Sequence, residues 1–223
     1  MHSHLIPEID DGATSVEQSL HLIKGLKDLG YKKLIATPHV ISDFYQNTPE
    51  KINKGLLILR NALKEANINI EIEVAAEYYL DFDFQKKLDT EELLTFGSNY
   101  LLFELPFYNK PQFFEETVFK MQTLGYKPVL AHPERFTFWN NDFKAYNDLK
   151  DRGVLLQINI NSLVGGYSAQ ARKIAEKLIV NNMVDFVGSD THNQHHIELL
   201  KKSLNNKYLI DLIKKGSLLN KTL

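Results

Sequence analysis

Pro128-Val129-Leu130-Ala131-His132-Pro133-Glu134-Arg135 sets an apolar run of strand length directly before a histidine, a proline and two charged residues. Outward from it, the same arrangement recurs. Candidate strands lie at residues 34–37, 70–75, 101–103, 128–131, 155–160 and 184–188. They are nearly continuously apolar, as parallel strands buried on both faces require, although 70–75 keeps two glutamates. Helical patterns fall between them, near residues 15–29, 49–66, 112–124, 141–152 and 168–181. Ser15-Val16-Glu17-Gln18 reads as a capping box, Gly30 follows that helix, and Pro49 and Pro111 sit where helices begin. The βα rhythm, unbroken by a linker or low-complexity segment, predicts a single α/β domain over residues 1–223. A closed barrel and an open doubly wound sheet both fit that rhythm by itself. The chain opens on its first motif with no room for a strand before His2, so the expectation is a first strand clipped from a chain that begins upstream.

The 223 residues are 43% hydrophobic and 24% charged, ordinary values for a globular protein. A net charge of −2, with both signs mixed along the chain, leaves no basic stripe for nucleic acid and no acidic tail. The longest apolar runs, such as 100–103 and 154–158, are far too short to span a bilayer, and Met1-His2-Ser3-His4 lacks the regions of a signal peptide. A cytoplasmic location without membrane insertion is the expectation. With no cysteine, thiolate metal sites and phosphocysteine chemistry are excluded, so any metal is held by nitrogen and oxygen.

The placement of the ionisable residues carries more information than their number. His39 follows the run 34–37, Glu77 follows 70–75, Glu104 follows 101–103, and His132 follows 128–131. Asp190 and His192 follow 184–188, while His2 and His4 fall at the end of the clipped first strand. Six of seven strands thus deliver a histidine or carboxylate at the C-terminal end, the end that converges on one face of a barrel. Eight mixed ligands exceed what one ion takes. Two or three ions sharing Glu77 and Glu104 as bridges would satisfy them, and the nitrogen–oxygen mixture suits Mn, Fe, Zn or Co better than Ca or Mg. Such a site generates hydroxide at neutral pH and stabilises both oxygens of an in-line displacement. Singly, each residue also has a bland explanation: His-x-His follows from strand alternation, and Glu104 could be a buried charge with a basic partner. Jointly they do not scatter as chance would have it, whereas His21, mid-helix, reads as structural.

Taken in order, His2-Ser3-His4, Ile6-Pro7-Glu8-Ile9-Asp10-Asp11-Gly12-Ala13, Ala36-Thr37-Pro38-His39, Ala76-Glu77, Phe103-Glu104-Leu105-Pro106, Leu130-Ala131-His132-Pro133-Glu134-Arg135 and Gly188-Ser189-Asp190-Thr191-His192-Asn193 resemble the motifs of the PHP (polymerase and histidinol phosphatase) superfamily. Within it they are most similar to the bacterial capsule-type protein-tyrosine phosphatases, the CpsB/CapC/YwqE group. The resemblance implies a distorted TIM-like (β/α)7 barrel with a trinuclear, commonly manganese-dependent site. It places metal ligands at His2, His4, His39, Glu77, Glu104, His132, Asp190 and His192. It also implies hydrolysis of phosphotyrosine, typically on the tail of a bacterial tyrosine kinase controlling capsule or exopolysaccharide synthesis. Arg135 matches an arginine that in the family holds the substrate phosphate, a role its planar fork suits. The alternative for Arg135 is a surface pair with Glu134 or Asp142.

The chain departs from the family pattern twice. Glu8 stands where glycine is common. No second phosphate-binding arginine follows Asn193, so His195 and His196 are the candidates to contact phosphate, better when protonated. His39 and His192 are candidate general acids, although a ligating histidine is poorly placed to donate and a phenolate leaving group needs little help. Tyr45, Tyr78, Tyr79, Tyr108 and Tyr167 are candidates for a rim that stacks on a phosphotyrosine ring. The rival readings are a small-molecule phosphatase such as a histidinol-phosphate phosphatase, a weakly active kinase-docking regulator, and an amidohydrolase. A homo-oligomer is compatible with all of them.

Overall fold

The structure, a computed structural model, describes residues 1–140 and 142–223. Its strands are β1 (Lys33–Ala36), β2 (His39–Val40), β3 (Glu71–Val74), β4 (Glu77–Tyr79), β5 (Tyr100–Glu104), β6 (Lys127–Ala131), β7 (Leu155–Asn159) and β8 (Phe186–Gly188). All pair in parallel. They form a two-stranded sheet, β1-β3, and a six-stranded sheet in the order β2-β4-β5-β6-β7-β8. Every candidate strand is present, and the first two are each followed by a further short strand. Pro38, which has no N–H to give to a ladder, separates β1 from β2. Bonds from Ala75 N–H to Ala36 O (2.9 Å) and from Glu77 N–H to Pro38 O (3.0 Å) keep the broken strands side by side.

The α/β class with parallel strands therefore holds, but the ladders do not close into one ring. Residues 2–4 lie at the gap. Ser3 makes an isolated parallel bridge with Thr191. Thr37 N–H donates to Ser3 O (2.7 Å), His4 N–H to Thr191 O (2.9 Å) and Asp190 N–H to His2 O (3.0 Å). Below this stub the edge of β8 is met by the Asn220 side chain, whose amide accepts from Val187 N–H and donates to Val187 O, both at 2.9 Å.

The helices are α1 (Val16–Asp28), α2 (Pro49–Glu65), α3 (Phe82–Thr90), α4 (Phe114–Thr123), α5 (Lys144–Asp151), α6 (Ala169–Val180), α7 (Gln194–Ser203) and α8 (Lys207–Lys215). Ser15, Thr48, Asp81, Ser168, Asn193 and Asn206 cap six of them with side-chain oxygens, each worth about 1 kcal/mol. The capping box at α1 is shifted by one residue. Ser15 accepts from Gln18 N–H, but Gln18 reaches back to Thr14 rather than to Ser15. The helix expected from residue 141 runs as α5 from Lys144, and position 141 lies outside the described residues. The sequence pattern did not announce α3, because it buries only Phe84 and Leu88, too sparse a stripe to read as periodic. It did not announce α7 or α8 either.

Alternation along the strands divides the interior. Ile35, Ala75, Leu102, Val129, Ala131 and Phe186 form a small core on one strand face, with Phe96 and Tyr100. Leu101, Phe103 and Leu130, on the opposite face, belong to the larger core shared with the helices. Glu104 ends β5, and His132, Asp190 and His192 follow the ends of β6 and β8, whereas His39 and Glu77 fall where β1 and β3 give way to β2 and β4 and are the first residues of those second strands. Among the described residues, no helix is long and apolar enough to cross a membrane.

Candidate metal centre

Glu77, fully buried at the start of β4, stands at the middle of the cluster. Its Oε2 lies 3.2 Å from His2 Nε2, 3.3 Å from His4 Nε2 and 3.3 Å from His39 Nδ1, and its Oε1 lies 2.9 Å from His132 Nε2. Glu104, at the end of β5, faces His39 Nδ1 at 3.1 Å and His132 Nε2 at 3.8 Å. Asp190 Oδ1 lies 3.4 Å from His2 Nε2, His4 Nε2 and His192 Nδ1 alike. All eight residues singled out from sequence are thus brought together. Four groups of potential ligand atoms arise, each with its atoms within 4.8 Å of one another: His2, His4 and Glu77; His2, His132 and Asp190; His39, Glu77 and Glu104; and His4, Asp11, His39 and His192.

The last group contains a residue that sequence reasoning passed over. Asp11, on the loop after the His-x-His stub, puts Oδ1 3.3 Å from His192 Nε2 and 3.6 Å from His39 Nε2. Its neighbour Asp10 was also missed. Asp10 Oδ2 accepts from His4 Nδ1 (2.8 Å) and from His39 N–H (3.1 Å), and Oδ1 accepts from Gly12 N–H (3.0 Å). The acidic pair beside a His-x-His was the available signal.

A second missed set lies on β7. His2 Nδ1 donates to Gln157 Oε1 (2.6 Å), Gln157 Nε2 donates to Asn159 Oδ1 (2.9 Å), and Asn159 Nδ2 donates to Asp190 Oδ2 (2.6 Å). Gln157 and Asn159 are both fully buried, and their alternation within an otherwise apolar strand was legible as polar residues turned to one face. These partners decide tautomers. With Nδ1 of His2 held by Gln157 and Nδ1 of His4 held by Asp10, each ring turns Nε2 toward the carboxylates, as outer partners of metal-ligating histidines do. His192 Nδ1 donates to Asp190 O (2.9 Å), freeing its Nε2 toward Asp11.

The backbone is bent to make these placements. His2, His132 and Asp190 have φ of +66°, +34° and +47°, a region that non-glycine residues rarely enter outside functional sites.

The electrostatics fit divalent cations. Burial opposes charge on His39, but Glu77 and Glu104 outweigh it and raise its pKa to about 9. His2 and His4 are also raised against burial, by Glu77 and Asp190 and by Asp10 respectively. Burial likewise opposes the charges of Glu77 and Asp190, yet the surrounding imidazoles hold both carboxyls well below the usual range. Asp11 is lowered to about 2, with His192 the main cause acting against burial. Protons on the imidazoles thus supply positive charge among carboxylates that would otherwise repel one another. Among the described residues, buried His132 Nδ1 has no hydrogen-bond partner. Clustered carboxylates, imidazole nitrogens converging on them and the absence of sulfur make a donor set that divalent ions fit.

Arg135 forms one wall of the cavity above the cluster, which has a volume of about 450 Å³. Its Nη1 donates to Asp190 Oδ2 (3.1 Å), which also accepts from Tyr167 Oη–H (2.8 Å). The guanidinium carbon lies 4.2 Å from the Tyr167 ring centroid and 4.7 Å from that of Phe107, so two aromatic rings face its charge. It is paired with neither Glu134 nor Asp142. Glu134 is buried and accepts from Asn159 N–H (2.9 Å) and Ser162 Oγ–H (2.6 Å), its pKa raised by burial. Tyr45, Tyr79 and Tyr167 line the cavity; Tyr78 does not, being buried with its Oη accepting from Leu94 N–H, and Tyr108 projects outward.

The two histidines considered in place of a second arginine part company. His196 lines the cavity, while His195 is 66% exposed beside Glu198 and does not reach it. His196 Nδ1 lies 2.7 Å from Asp190 O and 3.3 Å from His192 N. The shorter contact, to an acceptor, puts the proton on Nδ1. Burial pushes the His196 pKa down, against the protonated form expected to help bind phosphate. Glu8 has φ +65° and is exposed outside the cavity, so it adds no carboxylate to the cluster.

Parallel strands that gather such a histidine–carboxylate centre at their C-terminal ends define an α/β metalloprotein class. Within it, the chain belongs to the family described as capsular polysaccharide synthesis, CpsB/CapC, which it matches over residues 1–211. It is 28% identical to CapC of Staphylococcus aureus over 92% of the chain and 81% of that protein. It is 29% identical to the tyrosine-protein phosphatase YwqE of Bacillus subtilis, over 86% of the chain and 76% of that protein. A solved chain from the crystal structures of YwqE and of CpsB from Streptococcus pneumoniae, described as unique metal-dependent tyrosine phosphatases, superposes with a TM-score of 0.84 at 27% identity. It covers 99% of this chain and 93% of that one.

Proposed function

We propose that this chain is a metal-dependent protein-tyrosine phosphatase. The observation that carries the reading is a guanidinium packed against two aromatic rings, at the wall of a cavity that also opens onto the clustered imidazoles and carboxylates. The relatives named above support it. His2, His4, His39, Glu77, Glu104, His132, Asp190 and His192, joined by Asp11, would hold two to three divalent ions, manganese first, with Fe, Zn or Co as alternatives. When bound, such ions lower the pKa of water and neutralise charge on phosphoryl oxygens. The remaining work falls to the chain. Arg135 offers N–H donors to the phosphate in a fixed plane. Tyr45 and Tyr79 give the aryl ring apolar faces. Gln157 and Asp10 fix the imidazole orientations. His39 and His192, with ring nitrogens committed to the cluster, serve as ligands in this scheme rather than as general acids.

The same reading takes the strands as a single (β/α)7 barrel domain spanning residues 1–223. Residues 2–4 stand for the first strand, which the three backbone bonds around Ser3 support. It also carries a cytoplasmic location and, as natural substrate, the phosphorylated tail of a bacterial tyrosine kinase in capsule or exopolysaccharide synthesis. The test is steady-state hydrolysis of a phosphotyrosine peptide and of histidinol phosphate by the Mn²⁺-loaded protein. Turnover of the peptide, lost in Glu104→Ala with the fold retained, is expected. A strong preference for histidinol phosphate would overturn the assignment.

A further inference from the structure

Large aromatic side chains are costly to leave in water, and among the described residues only Phe44, Phe82, Tyr108 and Phe119 are exposed ones. Single exposed apolar residues are ordinary; grouped ones mark interaction sites. Phe119 lies on the outer face of α4. The other three, at 79%, 69% and 84% exposure, follow the C-terminal ends of β2, β4 and β5, strands adjacent in the six-stranded sheet. Each also stands close in sequence to a side chain lining the cavity: Phe44 beside Tyr45, Phe82 just after Tyr79, and Tyr108 beside Phe107.

The segments that carry them are tied together. Ser42 Oγ–H donates to Asp81 Oδ2 (2.7 Å), joining the loop of Phe44 to the start of α3, where Phe82 stands. The Phe82 ring lies 4.5 Å from that of Phe113, which belongs to the connection from β5 to α4 that also carries Tyr108. Three exposed aromatic residues thus follow neighbouring strand ends, each close in sequence to a residue of the cavity lining. The cavity lining itself also carries the polar side chains Asp11, Arg135, Asn193 and His196.

The cavity of about 450 Å³ has room for a phosphotyrosine side chain. A small phosphate ester that fills it has no further atoms to lay on these three side chains. An extended polypeptide does, since its residues advance about 3.3 Å each and the neighbours of the phosphorylated tyrosine pass over the strand ends. We propose that Phe44, Phe82 and Tyr108 form the docking surface for an extended polypeptide that carries apolar side chains next to its phosphotyrosine. The proposal rests on the phosphatase reading above and adds where the polypeptide is held and which neighbours of the phosphotyrosine it prefers.

The test uses the full Mn²⁺-loaded chain and the triple variant Phe44→Ser, Phe82→Ser, Tyr108→Ser, with the three single variants beside it and thermal melts to verify folding. Three substrates are compared: p-nitrophenyl phosphate, a phosphotyrosine peptide with leucine neighbours, and the same peptide with serine neighbours. The expected result is unchanged turnover of p-nitrophenyl phosphate and a loss of about tenfold or more in kcat/KM on the leucine peptide, carried by KM. The serine peptide should respond much less. Equal losses on all three substrates, or no loss on the leucine peptide, would overturn the docking surface. So would sedimentation showing a wild-type dimer that the triple variant dissociates, because the three side chains would then be covered by a second copy. A wild-type protein that hydrolyses no aryl phosphate would instead overturn the phosphatase reading itself.

Discussion

At Arg135 a charge, two aromatic faces and a carboxylate meet. Its guanidinium is stacked by Phe107 and Tyr167 and bonded to Asp190, whose other oxygen faces the imidazoles. A lysine at this position keeps the charge but loses the stacking and the fork. Arg135→Lys should raise KM for a phosphotyrosine peptide by about tenfold or more, roughly 1.4 kcal/mol per tenfold, and leave the bound metal unchanged by elemental analysis. Tyr167→Phe retains the ring and removes the hydroxyl that donates to Asp190 and accepts from Asn159 Nδ2, so it should lie between wild type and Tyr167→Leu. If Tyr167→Leu leaves both KM and inhibition by inorganic phosphate unaltered, the ring does not orient the arginine.

Among the connecting elements, the loop from the His-x-His stub to α1 shows how strain and fit are distributed. Gly12 packs so closely on His4 that an added Cβ would collide with the His4 carbonyl oxygen, so only glycine is accommodated. Glu8, in contrast, occupies a left-handed backbone conformation that glycine would adopt freely, with its N–H donating to Ala13 O (2.8 Å). Glu8→Gly should therefore stabilise the protein by about 1 kcal/mol, read as a rise in Tm of about 2–4 °C for a chain of this size. Turnover should not change, because the Glu8 side chain lies outside the cavity. A lower Tm would mean that the loop gains more from the Glu8 side chain than it loses to strain.

For the molecule as a whole, the cluster ties folding to pH and to metal. His39 is raised from 6.5 to about 9 in the folded chain, and His2 and His4 are raised as well. Groups raised on folding stabilise fully below their unfolded pKa, and that contribution is lost as pH climbs through the folded value. The metal-free chain should accordingly lose Tm between about pH 6.5 and pH 9. With saturating Mn²⁺ the imidazoles are neutral ligands, so the decline should vanish and metal binding should release protons, measurable by calorimetry in two buffers. An identical pH profile with and without metal would contradict ion binding at these imidazoles. Much of this was legible in sequence. Apolar runs of strand length followed by His, Asp or Glu singled out His39, Glu77, Glu104, His132, Asp190 and His192, and the His-x-His at the start added His2 and His4, because the limits of an apolar run mark where a buried strand stops. Tertiary structure alone decided what surrounds them: Asp11 and Asp10 folding back onto the histidines, Gln157 and Asn159 running from His2 to Asp190, and Arg135 packing against Phe107 and Tyr167. It also decided that His196 turns inward while adjacent His195 faces solvent, and that Pro38 splits the first strand. These are distances between segments remote in the chain, set by how strands and loops pack, and no local pattern of residues records them.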